Sequence, residues 1–221
     1  MKIAGSLKKG DAMSLEDRLY ETIAVYDRLG ATYADRIAKA EIPQLAEFAA
    51  LLPVGGRVLD VGCAAGRDSQ KLRDLGFEVH GIDLARTFLE IADREVPGVY
   101  FYDMDARDLR FGPEQFDGIW AHAVLLNLSR DEVPLTLAGF RKALRRGGIC
   151  LVAVKEGEGE KLIGEELVNN LQRRETYFAQ EELEQLFVVA GFNLLESVIT
   201  GDELGRETTR WLYVTAQKPG V

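Results

Sequence analysis

Three carboxylates follow three apolar segments of the chain, each at the point where a strand is predicted to end. Asp60 lies in VLDVGCAAGRDS, Asp83 in GIDLA and Asp105 in YFYDMDARDL. A carboxylate fixed at a strand tip attracts an ammonium group, or accepts hydrogen bonds from ribose hydroxyls or from an adenine amine. The three acids therefore predict a site for a positively charged nucleoside.

A turn of small side chains follows Asp60 and contains Gly62, Cys63, Ala64 and Gly66. Backbone with so few side-chain atoms lets a ligand approach closely, and the N–H groups at the start of the next helix are open to it. The alternative is that these residues are small only because the helix packs closely against the strand.

The other two acids also have alternative interpretations. Asp83 would cap a helix that starts a few residues later, a role that is compatible with ribose binding. Asp105 would accept from the adenine amine while the Ala106 N–H donates to a ring nitrogen. Asp103 and Asp108 compete for that role, and the alternative for all three acids is a solvated acidic loop.

Alternating strands and helices position these acids. Strand-like segments are predicted at 57–61, 77–82, 98–102, 116–121 and 148–154, with helices at 67–75, 86–94 and 130–145. This alternation is typical of a parallel sheet with helices on both faces, where ligands bind at the carboxyl ends of the strands. A helix at 179–190 precedes strands at 192–199 and 210–217. Too few residues join these last strands for a helical crossover, so we expect them to pair antiparallel.

The predicted domain organisation is a flexible tail of residues 1–12 followed by a single domain of residues 13–221. Residues 13–53 form an N-terminal helical cap of two helices, the first in SLEDRLYETIAVYDRL and the second over residues 42–51. The apolar spacing in the first of these segments is that of a helix.

Composition limits the classes of partner. Hydrophobic residues make up 47% of the 221 residues and charged residues 29%, which is typical of a globular protein. A net charge of −9 disfavours nucleic acid, whose phosphates are bound mainly by lysine and arginine. No apolar run predicts a membrane span or signal peptide, so we expect a cytoplasmic protein. The charge favours a small-molecule substrate. We expect a monomer or a homodimer. Cys63 and Cys150 suggest neither a disulfide nor a metal site.

The ordered segments VLDVGCAAGRDS, GIDLA, DMDARDL, FDGIWAHAVLLNL, LRRGGICLVAVKEGEGE and AGF resemble those of class I S-adenosylmethionine-dependent methyltransferases, over roughly residues 26–217. The resemblance implies a Rossmann-like α/β fold with a seven-stranded, mostly parallel sheet and an antiparallel last strand. It also implies S-adenosyl-L-methionine as the cofactor. Asp60 and the turn of residues 62–66 would face its methionine part, Asp83 the ribose, and Asp105 with Ala106 the adenine. We also expect Leu84 and Tyr33 beside the cofactor.

Two departures from this family bear on catalysis. Ala64 replaces the glycine that usually occupies the middle of the turn, and its methyl group would lie beside the cofactor. A smaller subgroup commonly has Leu-Leu-His after the fourth strand, but this chain ends that stretch with Asn127. His122, at the tip of the fourth strand, is the candidate catalytic base because imidazole titrates near neutral pH. The alternative for His122 is a hydrogen-bonded core residue, the role that we expect for His80.

The acceptor is expected to lie against Lys155, Arg173, Tyr177, Trp211 and Tyr26, although each could serve packing or a salt bridge instead. The sequence thus predicts methyl transfer to an oxygen or nitrogen atom of an unidentified small molecule. One alternative is an NAD-dependent oxidoreductase, although the chain lacks the G-x-G-x-x-G spacing of that class. The other two alternatives are a non-catalytic S-adenosylmethionine-binding module and a tRNA methyltransferase.

Overall fold

The computed structural model describes residues 15–38, 40–165, 168–169, 171–202, 204–206 and 208–220. The predicted tail of residues 1–12 lies outside this range. The strands are β1 (Arg57–Val61), β2 (Glu78–Asp83), β3 (Tyr100–Asp103), β4 (Phe116–His122), β5 (Leu144–Lys155), β6 (Glu160–Glu165), β7 (Leu171–Thr176), β8 (Asn193–Gly201) and β9 (Arg210–Gln217). The helices are α1 (Leu15–Ile37), α2 (Pro43–Ala50), α3 (Arg67–Asp74), α4 (Arg86–Glu95), α5 (Val133–Ala143) and α6 (Gln180–Val189).

Seven of the strands form one sheet in the order β3-β2-β1-β4-β5-β9-β8. Strands β1 to β5 are parallel to one another, whereas β9 is antiparallel to both β5 and β8. The predicted sheet, including its antiparallel last strand, is confirmed. Asp83 is in register with Asp103 on β3, so these strands end at the same edge.

The sheet is covered on both faces because its central strands alternate between two hydrophobic clusters. On β4, Ile119 packs in a cluster with Phe140 of α5 and Phe187 of α6. Trp120, the next residue, packs in the other cluster with Phe48 of α2. This two-sided burial is typical of a parallel sheet between helical layers.

The sequence did not predict β6 and β7, which form a separate two-stranded antiparallel sheet, called here the β6–β7 hairpin. Five of the six β6 residues are charged, glycine or exposed, so the strand shows little of the alternating apolar pattern that marks a half-buried strand. The hairpin packs on α1 through Val25 and Leu29.

The first helix extends beyond its predicted end near residue 29. Gly30 interrupts it with non-helical angles, φ 38° and ψ −121°, and the chain then continues as helix to Ile37. A Cβ atom at Gly30 would lie 2.9 Å from Cγ2 of Thr87, so glycine also permits close packing there. No described helix is long and apolar enough to cross a membrane.

Ala123, directly after β4, has a left-handed backbone with φ +62°. We expect Ala123→Gly to raise the free energy of unfolding by about 0.5 kcal/mol, because relief of this strain slightly exceeds the entropy that glycine adds to the unfolded chain. Urea denaturation would measure the change.

The matched control is Ala121→Gly, two residues earlier in the buried strand. It should lower the free energy of unfolding by about 1–2 kcal/mol, because it removes a buried methyl group and adds chain entropy without relieving strain. A loss of stability in both variants would contradict the strain that we assign to Ala123.

Candidate functional site

A cavity of about 230 Å³ lies between the tips of the main sheet, α1 and the β6–β7 hairpin. A single water needs roughly 10–15 Å³, so the cavity has room for a larger ligand. Most of the predicted site residues line it: Tyr26, Tyr33, Asp60, Gly62, Cys63, Ala64, Asp83, Leu84, Asp105, Ala106, His122, Lys155, Arg173 and Trp211. The three strand-tip acids therefore face one space, as their spacing predicted.

Two predicted residues do not line the cavity. Gly66, the N-cap residue just before α3, has a left-handed conformation, φ +85°, and a Cβ atom there would lie 2.9 Å from Cγ2 of Val96. Its glycine therefore serves the packing of the turn, as in the alternative interpretation. Tyr177 turns its hydroxyl toward Glu175 and donates a hydrogen bond to Oε2 over 2.8 Å.

Asp60 is a buried carboxyl group with 2% of its surface exposed. It accepts a hydrogen bond from the Ser69 hydroxyl over 2.5 Å. Burial, together with the nearby Asp68 carboxylate, raises the pKa of Asp60 above its usual range. Asp68 itself is paired with Arg67 over 2.7 Å, so Asp60 is the member of this acid pair without an ion-pair partner among the described residues. A cation in the cavity would stabilise its charged form.

Asp83 holds the small-residue turn in place. Oδ2 accepts from the Ala64 N–H and Oδ1 from the Ala85 N–H, each over 2.9 Å. A carboxylate oxygen has two acceptor positions, so both oxygens can also accept from a ligand hydroxyl. Burial raises the pKa of Asp83, although the backbone N–H groups oppose this effect.

Asp105 is engaged by a neighbouring cation. Arg107 donates to its Oδ2 over 2.6 Å and also pairs with Glu132. An adenine amine at Asp105 would share the carboxylate with this guanidinium. Asp105 and Ala106 line the cavity, but their contact with adenine stays a prediction.

His122 lies in an aromatic environment at the tip of β4. Its Nε2 is 3.3 Å from the Tyr213 hydroxyl, and its ring stacks on that of Trp211 with centroids 4.9 Å apart and an interplanar angle of 28°. Burial lowers the pKa of His122 to about 4. The imidazole is therefore neutral at pH 7, able to accept a proton but a weak base. His80 lies away from the cavity, between Glu78 and Tyr102.

Glu175 is a cavity-lining residue that the sequence motifs did not identify. Its Oε1 accepts from Lys155 over 2.6 Å and from Arg173 over 2.5 Å. The only signal for it was the spacing of Arg173, Glu175 and Tyr177, which places alternate residues of a strand on one face. Burial alone would raise the pKa of Glu175, but the two cations outweigh it and lower the pKa.

Asn127, the residue at the position of the subgroup's histidine, is connected to the helical cap. Its Oδ1 accepts from the Tyr26 hydroxyl over 3.3 Å. Tyr26 and Tyr33 pack edge to face with centroids 5.5 Å apart, and both rings lie against Phe88. The two tyrosines thus form an aromatic roof over the cavity that contacts Asn127, in the turn after β4, and Phe88 of α4.

We expect Glu175→Gln to lower the free energy of unfolding by about 3 kcal/mol, because it leaves two mostly buried cations side by side without their anion. Chemical denaturation would measure the loss. The matched control is Glu160→Gln in the same hairpin, where the more exposed pair with Arg174 should contribute less than about 1 kcal/mol. Equal losses in the two variants would contradict the role of Glu175 as shared counter-ion.

Comparison with known proteins agrees with the motifs. Residues 58–148 match a family model described as a methyltransferase domain. A Bacillus subtilis protein named as a putative methyltransferase, YqeM, is 30% identical over 136 residues, which is 59% of this chain and 55% of YqeM. The ubiquinone biosynthesis O-methyltransferase of Mesorhizobium japonicum is 29% identical over 71% of this chain and 67% of its own length. The chain thus spans about half of YqeM and two thirds of the second relative.

The fold has solved counterparts. The 1,6-didemethyltoxoflavin-N1-methyltransferase of Burkholderia thailandensis, crystallised with 1,6-didemethyltoxoflavin and S-adenosylhomocysteine, superposes with a TM-score of 0.75 at 21% identity, over 96% of this chain and 93% of that one. An S-adenosylmethionine-dependent methyltransferase of Methanosarcina mazei gives a TM-score of 0.72 at 18% identity, over 81% and 98% of the two chains. Over residues 58–148 the chain is thus similar to methyltransferase domains, and its overall fold is that of solved S-adenosylmethionine-dependent methyltransferases.

Proposed function

We propose that this protein transfers a methyl group from S-adenosylmethionine to an oxygen or nitrogen atom of a small-molecule acceptor. The observation that carries the proposal is that Asp60, Asp83 and Asp105, from consecutive strand tips, line one cavity with the small-residue turn. The relatives include an O-methyltransferase, and the Burkholderia enzyme is an N1-methyltransferase, so both acceptor atoms are retained.

The small-residue turn beside the proposed cofactor position has a conformation that contacts within the protein fix. Gly62 has φ +68°, and a Cβ atom there would lie 2.4 Å from Cγ2 of Val124. The N–H groups of Gly62 and Cys63 both donate to the Ile82 carbonyl, over 2.8 and 3.0 Å, and so fix the turn to β2. The backbone is therefore held in place before any ligand binds.

The chemistry of the acids also suits this cofactor, which carries an ammonium group, a sulfonium and two ribose hydroxyls. Asp60 would hold the ammonium group, which compensates its buried charge. Asp83 would accept from the ribose hydroxyls while it keeps its two backbone hydrogen bonds. Both residues line the cavity, which is what these two roles require.

The bound cofactor supplies the electrophilic methyl group, so the protein's contribution is alignment and, for some acceptors, proton removal. We propose His122 as the group that accepts such a proton, because it lines the cavity and is neutral. A base this weak suits an acceptor whose proton is acidic. The aromatic roof of Tyr26 and Tyr33 would exclude water from the cavity.

The test of the proposed function has two parts. Calorimetric titration with S-adenosylhomocysteine and with NAD should give binding only to the first. Tritiated S-adenosylmethionine and a cell metabolite extract should then give a labelled small molecule. Binding of NAD alone would indicate an oxidoreductase. Binding of S-adenosylhomocysteine without any labelled product would indicate a non-catalytic binding module. Label in RNA would indicate a tRNA methyltransferase.

The affinity for S-adenosylhomocysteine should fall as the pH drops from neutral into the acidic range. The pKa of Asp60 is raised by burial, so the carboxyl becomes protonated there and no longer attracts the ligand ammonium. At neutral pH, Asp60→Asn should weaken binding by about 10- to 100-fold and reduce the pH dependence. Calorimetry in buffers of different ionisation enthalpy would also measure the protons released on binding.

Asp103→Asn is the matched control, because this exposed acid ends the neighbouring strand β3 and pairs with Arg86 outside the cavity. Its affinity and pH profile should match those of the wild type. An unchanged pH profile in Asp60→Asn would show that Asp60 does not hold the ammonium group.

A further inference from the structure

The acceptor side of the cavity contains two cations that share one anion. Lys155 at the end of β5 and Arg173 on β7 both pair with Oε1 of Glu175, and Glu175 is their ion-pair partner among the described residues. The other oxygen, Oε2, accepts from Tyr177. The single carboxylate of Glu175 thus compensates two positive charges in a mostly buried position.

The remaining charged groups on this side do not remove the imbalance. Arg206 also lines the cavity, but Asp202 neutralises it through an ion pair. Arg36 and Glu165 line the cavity with opposite charges. Away from the strand-tip acids, the cavity wall therefore has an excess of one positive charge, which a monoanionic ligand would compensate.

The donors of this pair have capacity for a ligand. An ammonium group has three N–H donors and a guanidinium five, in a planar fork that matches a carboxylate. Lys155 and Arg173 use one hydrogen bond each on Glu175. Burial of Lys155 lowers its pKa, although Glu175 opposes this effect, so a second anion would also stabilise its charged form.

The surroundings of the pair are aromatic. Trp211 and His122 form a stacked pair of rings on one side, and Tyr26 and Tyr33 form the roof. All four residues line the same cavity as Lys155 and Arg173. Such a lining favours a flat, largely apolar molecule with one polar anchor.

We propose that the methyl acceptor is a flat organic acid whose single carboxylate binds to Arg173 and Lys155. This inference rests on the proposed function, since it names the substrate class of that site. The carboxylate is favoured over a phosphate monoester because the excess charge is one. The acids at the strand tips repel such an anion, so the acceptor is also oriented with its carboxylate toward the hairpin.

The test compares ligands that share one ring system. In protein saturated with S-adenosylhomocysteine, calorimetry would measure the binding of 2-naphthoate, 2-naphthamide and 2-naphthyl phosphate. The naphthoate should bind about 10- to 100-fold more tightly than the neutral amide and more tightly than the phosphate. Equal affinity for naphthoate and naphthamide, or no heat from any of the three at millimolar concentration, would overturn the assignment. Tighter binding of the phosphate would also overturn it, in favour of a phosphorylated acceptor.

Two variants locate the binding group. Arg173→Gln should abolish the preference for naphthoate over naphthamide, whereas Arg174→Gln should keep it, because Arg174 pairs with Glu160 outside the cavity. Affinity for S-adenosylhomocysteine, measured first in each variant, reports whether the fold is intact. The comparison of the three ligands in the wild type does not depend on either variant.

The failures of the two proposals are distinguishable. Without S-adenosylhomocysteine binding in the wild type, the proposed function itself would be wrong. With such binding but no preference for the carboxylate, the methyltransferase proposal stands and only the acceptor class is wrong. An unchanged preference in Arg173→Gln would likewise reject the anchor that we assign.

Discussion

Burial of carboxyl groups at the strand tips is the constraint on which the site depends. A buried carboxylate is costly unless hydrogen bonds or a counter-ion compensate its charge. Asp83 obtains part of this compensation from two backbone N–H groups, and Asp60 obtains one hydroxyl contact. Burial keeps the pKa of both groups raised. A cationic ligand would supply the missing compensation, so part of the energetic cost of burying these carboxyl groups would become a source of affinity.

The two ends of the cavity have opposite electrostatic character because they come from different parts of the chain. The strand tips of the main sheet contribute Asp60, Asp83 and Asp105. Lys155 is the last residue of β5, and the β6–β7 hairpin that follows contributes Arg173. One end suits a cationic cofactor and the other an anionic acceptor, so attraction to opposite ends would orient the two molecules relative to each other.

The sequence predicted the main sheet well because its strands are buried on both faces and separated by helices of ordinary length. The acids at their tips followed from the same pattern, since parallel strands end at one edge. Gly66 shows the limit of that reasoning. A glycine is expected at this position whether the residue contacts a ligand or packs against Val96, and only the three-dimensional structure distinguishes the two cases.

The hairpin was less predictable for a physical reason. Its residues are mostly polar, and β6 is buried too little to show a hydrophobic pattern. Tyr177 was predicted to line the cavity, but it contacts Glu175 instead. Glu175 itself is a single acid in a charged segment, and its burial depends on Lys155, twenty residues earlier in the sequence. Such a long-range ion pair leaves no local signature.

Strand register in the hairpin determines the charge of the cavity wall next to it. Arg173 and Glu175 face the cavity, whereas Arg174 between them pairs with Glu160 on the other face. A slip of one residue would exchange these faces, because side chains alternate along a strand.

Helix α1 fixes β7 along its outer edge. Glu21 and Thr22 accept from the backbone N–H groups of Gln172 and Arg174. The same helix carries Tyr26 and Tyr33, so one element holds the register of β7 and also forms the aromatic roof. The position of the cations and the closure of the cavity are therefore coupled through α1, and a change in the packing of that helix would alter both.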